Sequence, residues 1–205
     1  MQIEVLKSKQ QKIFSYLLKF PEFYLVGGTA LALQIGHRMS IDFDLFSKNN
    51  ITPALLAKIK RVFKDYKIEI SLRNREQLTV KIDGVKIDFV KYKFPLIQNT
   101  IEFHGVRMAK PAEIAAMKAF ALNFRGANKD YIDLYFILKE KHASLKEIEQ
   151  IGNKKYKDEF NFKLFLQQLL ILEGLKKQKI EYFKKEPNLK KIELLFKKEI
   201  KKIKL

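Results

Sequence analysis

Asp42 and Asp44 stand one residue apart in Ser40-Ile41-Asp42-Phe43-Asp44-Leu45-Phe46. A strand alternates its side chains, so both carboxylates leave one face while Ile41, Phe43 and Leu45 take the opposite, core-facing side. The apolar burial that fixes the strand then holds two like charges next to each other, and such a pair demands a cation. A divalent metal that takes oxygen ligands, with Mg²⁺ the natural choice, relieves the repulsion and can position a polyphosphate. Taken alone, the pattern is also that of an exposed strand with two solvated carboxylates, so the flanking sequence has to decide.

Upstream, Gly27-Gly28 separates a short apolar run, Phe23-Tyr24-Leu25-Val26, from a short apolar helix, and 13 residues intervene before Asp42. Glycine lets the backbone approach a phosphate without a side-chain clash, and the following helix start, at Thr29, offers free N–H donors to an anion. Downstream, Lys86 and Asp88 share one face of a strand opposite Val85, Ile87 and Phe89, which adds a third carboxylate on a later strand. Whether it meets the first two depends on strand order. Asp83, next to Gly84, reads as a turn residue. His37 has no second histidine at ligand spacing and reads as structural, and His104 and His142 look unrelated to it. Arg38 is placed to reach a triphosphate or an RNA phosphate.

The elements that must position these groups follow from periodicity. Residues 3–19 carry Ile3, Leu6, Ile13, Phe14, Leu17 and Leu18 at mostly helical spacing, ending before Pro21. Thr29 to Ile35 reads as a buried helix, and Pro53 opens another to about Lys64. From Lys67 to Lys91 the pattern switches to alternation in three runs (Ile68, Ile70, Leu72; Leu78, Val80, Ile82; Val85, Ile87, Phe89), with Asp83-Gly84 at hairpin spacing between the last two. After Lys110-Pro111 the chain reads as almost wholly helical. Ile114, Met117, Ala121 and Phe124 form the expected core stripe of a helix stopped at Gly126, followed by helices near 128–139, 144–151, 157–174 and 188–203. Within that block Lys118 and Arg125 are seven residues apart and therefore share a face, roughly opposite the stripe, where they can grip nucleotide phosphates. Asp130 serves the helix dipole, and Asp133 is placed to order Lys118 or Arg125 in an ion-pair network. The expected class is α/β (α+β), with a mixed-sheet core over 1–108 and a helical lobe over 109–205.

Composition narrows the function classes. The 205 residues contain no cysteine, which removes disulfides, thiolate metal sites and cysteine nucleophiles. No apolar run approaches the roughly 20 residues needed to span a bilayer, and the N-terminal stretch is punctuated by lysine, so a cytoplasmic protein with no membrane partner is expected. Formal net charge is +18, from 41 Lys and Arg against 23 Asp and Glu, which favours polyanionic partners. The last 30 residues alone hold 12 Lys and 4 Glu, yet Ile192, Leu195, Phe196, Ile200 and Ile203 keep a helical stripe there.

The combination of a glycine turn, a strand with two aspartates and a later strand with one resembles the polymerase-β-like nucleotidyltransferases. More specifically, Gly27-Gly28-Thr29-Ala30-Leu31-Ala32-Leu33 followed by Gly36-His37-Arg38-Met39-Ser40-Ile41-Asp42-Phe43-Asp44-Leu45-Phe46 resembles the AbiEii/AbiGii nucleotidyltransferase toxins. Lys118 in Ala116-Met117-Lys118-Ala119, then Arg125-Gly126 and Lys129-Asp130-Tyr131-Ile132-Asp133-Leu134-Tyr135, is similar to that family's helical motif. The likeness covers residues 23–140. It implies a metal-dependent enzyme that moves a nucleoside monophosphate from an NTP to an acceptor hydroxyl. Asp42, Asp44 and Asp88 would hold Mg²⁺, Gly27, Gly28, Thr29, Arg38 and Arg125 would hold the nucleotide, and Lys118 and Asp133 would be needed for activity. It also implies a bacterial toxin with a cognate antitoxin, and an RNA acceptor such as the tRNA 3′ end. The competing expectation is a non-catalytic protein that binds nucleic acid or a partner on a decayed fold of this kind.

Overall fold

The computed structural model describes residues 1–172 and 179–203. They form two compact units, Met1–Pro95 with Asn99–Ala109, and Leu96–Gln98 with Lys110–Leu205. The first unit runs through α1 (Ser8–Leu17), β1 (Tyr24–Val26), α2 (Gly27–Ile35), β2 (Phe43–Ser47), α3 (Pro53–Val62), β3 (Ile68–Arg73), β4 (Gln77–Ile82), β5 (Val85–Lys91), β6 (Ile101–Phe103) and β7 (Val106–Met108). Its seven strands make one mixed sheet in the order β3-β4-β5-β2-β1-β7-β6. Strands β2 and β5 run parallel, as do β1 and β7, and the remaining neighbours are antiparallel.

One sheet face is fixed by aromatic and aliphatic burial. In the β2–β5 register Phe43 lies beside Ile87 and Leu45 beside Phe89, and all four are buried. Helix α1 supplies Phe14, 6.1 Å from Phe43 between ring centroids, and Phe20 just beyond it lies 5.2 Å from Phe89. Each such ring contributes about 1.5–3 kcal/mol through burial. The β4–β5 hairpin turns at Asp83 and Gly84, both at positive φ, as a tight two-residue hairpin turn requires.

Three expectations for this unit change. Strand β2 begins at Phe43, so Asp42 precedes the ladder, and Ile41 is 57% exposed instead of facing the core. The reason is that side chains take the carbonyls of this segment: Gln10 Nε2 donates to those of Ser40 (2.8 Å) and Ile41 (2.5 Å), and the Thr29 hydroxyl meets that of Asp42. Ile70 and Leu72 are exposed, because β3 is the terminal strand of the sheet and covers little. The hairpin of β6 and β7 was not expected, as two three-residue strands carrying Glu102 and Arg107 show no usable alternation.

The second unit contains α4 (Pro111–Leu122), α5 (Asn128–Lys139), α6 (Leu145–Tyr156), α7 (Phe162–Gln168) and α8 (Leu189–Ile200). Helix α4 packs against α5, α6 and α7, and a helix surrounded in this way has no single apolar stripe. Ala112, Ala115, Ala116 and Ala119 are buried together with Lys118, whereas Met117 and Ala121 are half-buried and Phe124 is 73% exposed beyond the helix end. The expected placing of Lys118 opposite the core is therefore corrected: it points inward. Helix α6 starts on a reciprocal cap, with Ser144 N–H donating to Glu147 Oε2 at 2.8 Å and Glu147 N–H to Ser144 Oγ at 3.2 Å. It also runs past the expected end at 151. The helix expected over 157–174 is replaced by a short turn and α7, and its last two residues lie outside the described ones. Helix α8 rests on α5, with Ile192 and Phe196 buried.

A wholly buried ion pair ties this unit together. Lys155 Nζ on α6 lies 2.7 Å from Glu113 Oε1 on α4, and the Glu113 carboxylate also accepts from the N–H groups of Ile97 and Gln98 (3.0 Å to Gln98). This is why Leu96–Gln98 packs with the helices. Lys155→Met should cost about 3–5 kcal/mol in urea denaturation, and Glu113→Ala at least as much, since it also orphans two backbone donors.

Candidate active site

The β2–β5 pairing that buries Phe43 and Phe89 on one face sets Asp44 directly beside Asp88 on the other, as register partners on adjacent parallel strands. Asp44 is half-buried and Asp88 buried. Thr79, the partner of Asp88 across the β4–β5 hairpin, donates its hydroxyl to Asp88 Oδ1 at 2.5 Å, with Gln77 Nε2 at 3.3 Å from the same oxygen. Lys86 Nζ takes Oδ2 at 2.6 Å. That hydrogen bond, together with the negative charges of Asp88, Asp42 and Asp44, holds the Lys86 ammonium above the ordinary lysine value. Asp42 is exposed on the loop leading into β2, close enough for its charge to act on Lys86.

The glycine turn borders the same cluster. Gly27 opens α2 at φ +69°, and a Cβ there would collide with the Asp44 carboxylate. A Cβ at Gly28 would collide with the guanidinium of Arg38, whose Nη1 donates to the Met39 carbonyl at 3.0 Å. Thr29 links the turn to the aspartate loop through Ser40 Oγ, 2.7 Å away. Val26, the residue before the first turn of α2, has an apolar side chain that makes no capping hydrogen bond. Asp42, Asp44, Asp88, Gly27, Gly28, Thr29 and Arg38 are thus neighbours in one unit, and His37 is fully buried beside them in sequence.

A second cluster lies within the helical unit. Lys118 Nζ on α4 lies 2.6 Å from Asp130 Oδ1 and 2.7 Å from Asp133 Oδ2, both on α5. Burial pulls the Lys118 ammonium down, but the charges of Asp133 and Asp130 outweigh it and hold the group above the ordinary lysine value. Asp130 is therefore more than a helix-dipole residue: it grips Lys118 together with Asp133. Arg125 is exposed beyond the end of α4 and shares no face with the buried Lys118.

Sequence reasoning missed Thr79, Gln77 and the closeness of Lys86 to all three carboxylates. The signal for Thr79 was present: counting back equally from each side of the Asp83-Gly84 turn sets it opposite Asp88. Among the described residues, no group of three or more carboxylate, histidine or cysteine side chains stands in metal-holding geometry. The donors nonetheless suit a hard divalent ion, being carboxylate oxygens from adjacent strands, and both Asp88 oxygens are at present engaged by Thr79 and Lys86.

A mixed sheet carrying neighbouring aspartates on β2 and β5 behind a glycine turn is the architecture of a nucleotidyltransferase. A protein from H. pylori described as a nucleotidyltransferase shares the fold, with a TM-score of 0.60 and 18% identity over 94% of this chain and 93% of its own. MenT4, a nucleotidyltransferase toxin of Mycobacterium tuberculosis H37Rv, superposes with a TM-score of 0.51 and 12% identity over 69% of this chain and 61% of its own. In sequence, the uncharacterized protein aq_aa25 of Aquifex aeolicus (strain VF5) is 32% identical over 182 residues, 88% of this chain and 87% of that protein. The family described as nucleotidyl transferase AbiEii toxin, type IV TA system, matches residues 12–204, and the chain belongs to it.

Lys118→Met should leave Asp133 buried without its cation and cost about 3–5 kcal/mol in chemical denaturation. Because the folded Lys118 titrates above its ordinary value, the pair's contribution is complete below that value and lost as pH rises past it. The gap between wild type and variant should therefore stay constant through neutral pH and close only in strong alkali.

Proposed function

We propose that this nucleotidyltransferase toxin transfers a nucleoside monophosphate from an NTP to a hydroxyl of RNA, with the tRNA 3′ end as acceptor, and that a cognate antitoxin restrains it in the cytoplasm. The observation that carries the reading is the side-by-side placing of Asp44 and Asp88 on parallel strands, bordered by the Gly27 turn. Asp44 and Asp88, with Asp42 from the loop, would hold Mg²⁺. Bound there, the metal would activate the attacking oxygen and neutralise the leaving group. The first turn of α2, at Gly27, Gly28 and Thr29, would donate N–H groups to the triphosphate, with the Arg38 guanidinium beside it.

In the transfer, the acceptor oxygen bonds to the α-phosphorus as the bond to the β-phosphate oxygen breaks and pyrophosphate leaves. The acceptor proton would go to the Asp88 carboxylate, whose oxygens Thr79 and Lys86 now engage. In the helical unit, Lys118 and Asp133 would be the residues needed for activity, with the Lys118 ammonium held by Asp133 and Asp130. Arg125 adds an exposed cation. Lys190, Lys191, Lys197, Lys198, Lys201 and Lys202 are exposed on and just after α8 and suit the backbone of RNA, which such a surface tracks without reading sequence.

Incubation of the purified protein with each labelled NTP, Mg²⁺ and total RNA should give transfer of label to RNA. Asp44→Asn and Asp88→Asn should each reduce it by about two orders of magnitude or more while the proteins remain folded. Absence of transfer, or equal transfer by both variants, would reject the reading.

A further inference from the structure

The carboxylates of β2 and β5 carry a cation of their own. Lys86 lies two residues before Asp88 on the same face of β5, and its ammonium is 2.6 Å from Asp88 Oδ2. The charges of Asp42 and Asp44 act on this ammonium as well. Thr79 and Gln77 donate to the other oxygen of Asp88, so both oxygens of this carboxylate are engaged from within the chain. The burial of this lysine sets it apart. The Lys86 side chain is 40% exposed, against 9% for Lys118 and 0% for Lys155, so it alone of the three can withdraw into water without stranding its charge in the interior.

We propose that Lys86 is a resident counter-ion of the carboxylate site: it neutralises Asp88 and its neighbours in the metal-free protein, and a divalent metal must displace it to bind. The proposal rests on the reading of Asp44 and Asp88 as metal ligands. Lysine suits the role because its ammonium is a compact, strongly hydrated charge on a flexible stem, able to leave one oxygen without breaking a rigid fork of hydrogen bonds. It also explains why both oxygens of a buried aspartate are engaged within the chain.

The test titrates Mn²⁺ alone into nucleotide-free protein and reads the free ion by its paramagnetic resonance signal. Lys86→Met should bind Mn²⁺ about tenfold or more tightly than wild type, because a unit positive charge has been removed from contact distance. Lys86→Arg should bind no more tightly than wild type, and Asp88→Asn should bind more weakly. Thermal melts give an independent readout: Lys86→Met should melt below wild type without metal and gain more from added Mn²⁺. If Lys86→Met binds Mn²⁺ no more tightly than wild type while Asp88→Asn loses binding, the counter-ion role is overturned and the carboxylate reading stands. Unchanged binding by Asp88→Asn would overturn both.

Discussion

Parallel pairing of β2 with β5 is the constraint from which the rest of the site follows. Phe43, Leu45, Ile87 and Phe89 must be buried on one face, and the register that buries them leaves Asp44 and Asp88 no place but beside each other. A one-residue slip would turn the aspartates into the core and the aromatic rings out to water, so the apolar face enforces an arrangement that the charges alone would resist. The like charges are made tolerable locally, by Thr79 and Gln77 donating to Asp88 and by Lys86 as counter-ion. Gly27 then allows the Asp44 carboxylate to pack against the start of α2.

Three lysines show how burial decides what a cation does here. Lys155 is sealed against Glu113, whose carboxylate also anchors two backbone N–H groups, and it holds helices together. Lys118 is nearly as buried but bridges two aspartates on α5, which leaves a carboxylate in excess around one ammonium. Lys86 sits at the surface, where exchange with solvent or another cation costs far less. The same side chain thus serves as a fixed strut, as an oriented charge and as a replaceable counter-ion.

Much of the architecture was legible because strong local signals agreed. The Asp83-Gly84 turn and the alternation around it specify β4 and β5, and the glycine pair after an apolar run specifies the β1–α2 junction. Non-local competition hid the rest. Nothing near Ser40 or Asp42 says that Gln10, some 30 residues away, and Thr29 take the carbonyls of this segment and keep Asp42 out of the strand. The inward turn of Lys118 was masked because α4 is covered on several sides, and a helix of that kind shows no stripe from which a polar residue would stand out. The short β6–β7 hairpin pairs through tertiary context that no three-residue pattern reveals. Membership of the AbiEii family, by contrast, was readable from the two blocks around Gly27–Phe46 and Lys118–Tyr135.

Asp44 and Asp88 are proposed as the platform on which metal and triphosphate meet. A crystal structure with Mg²⁺ and a non-hydrolysable NTP analogue tests this most directly. Such a structure should show a metal bound through oxygens of both Asp44 and Asp88, the triphosphate against the first turn of α2 at Gly27 and Gly28, and the Lys86 ammonium moved off Asp88 Oδ2. Metal and nucleotide bound elsewhere, with the Lys86–Asp88 pair intact, would contradict the proposal.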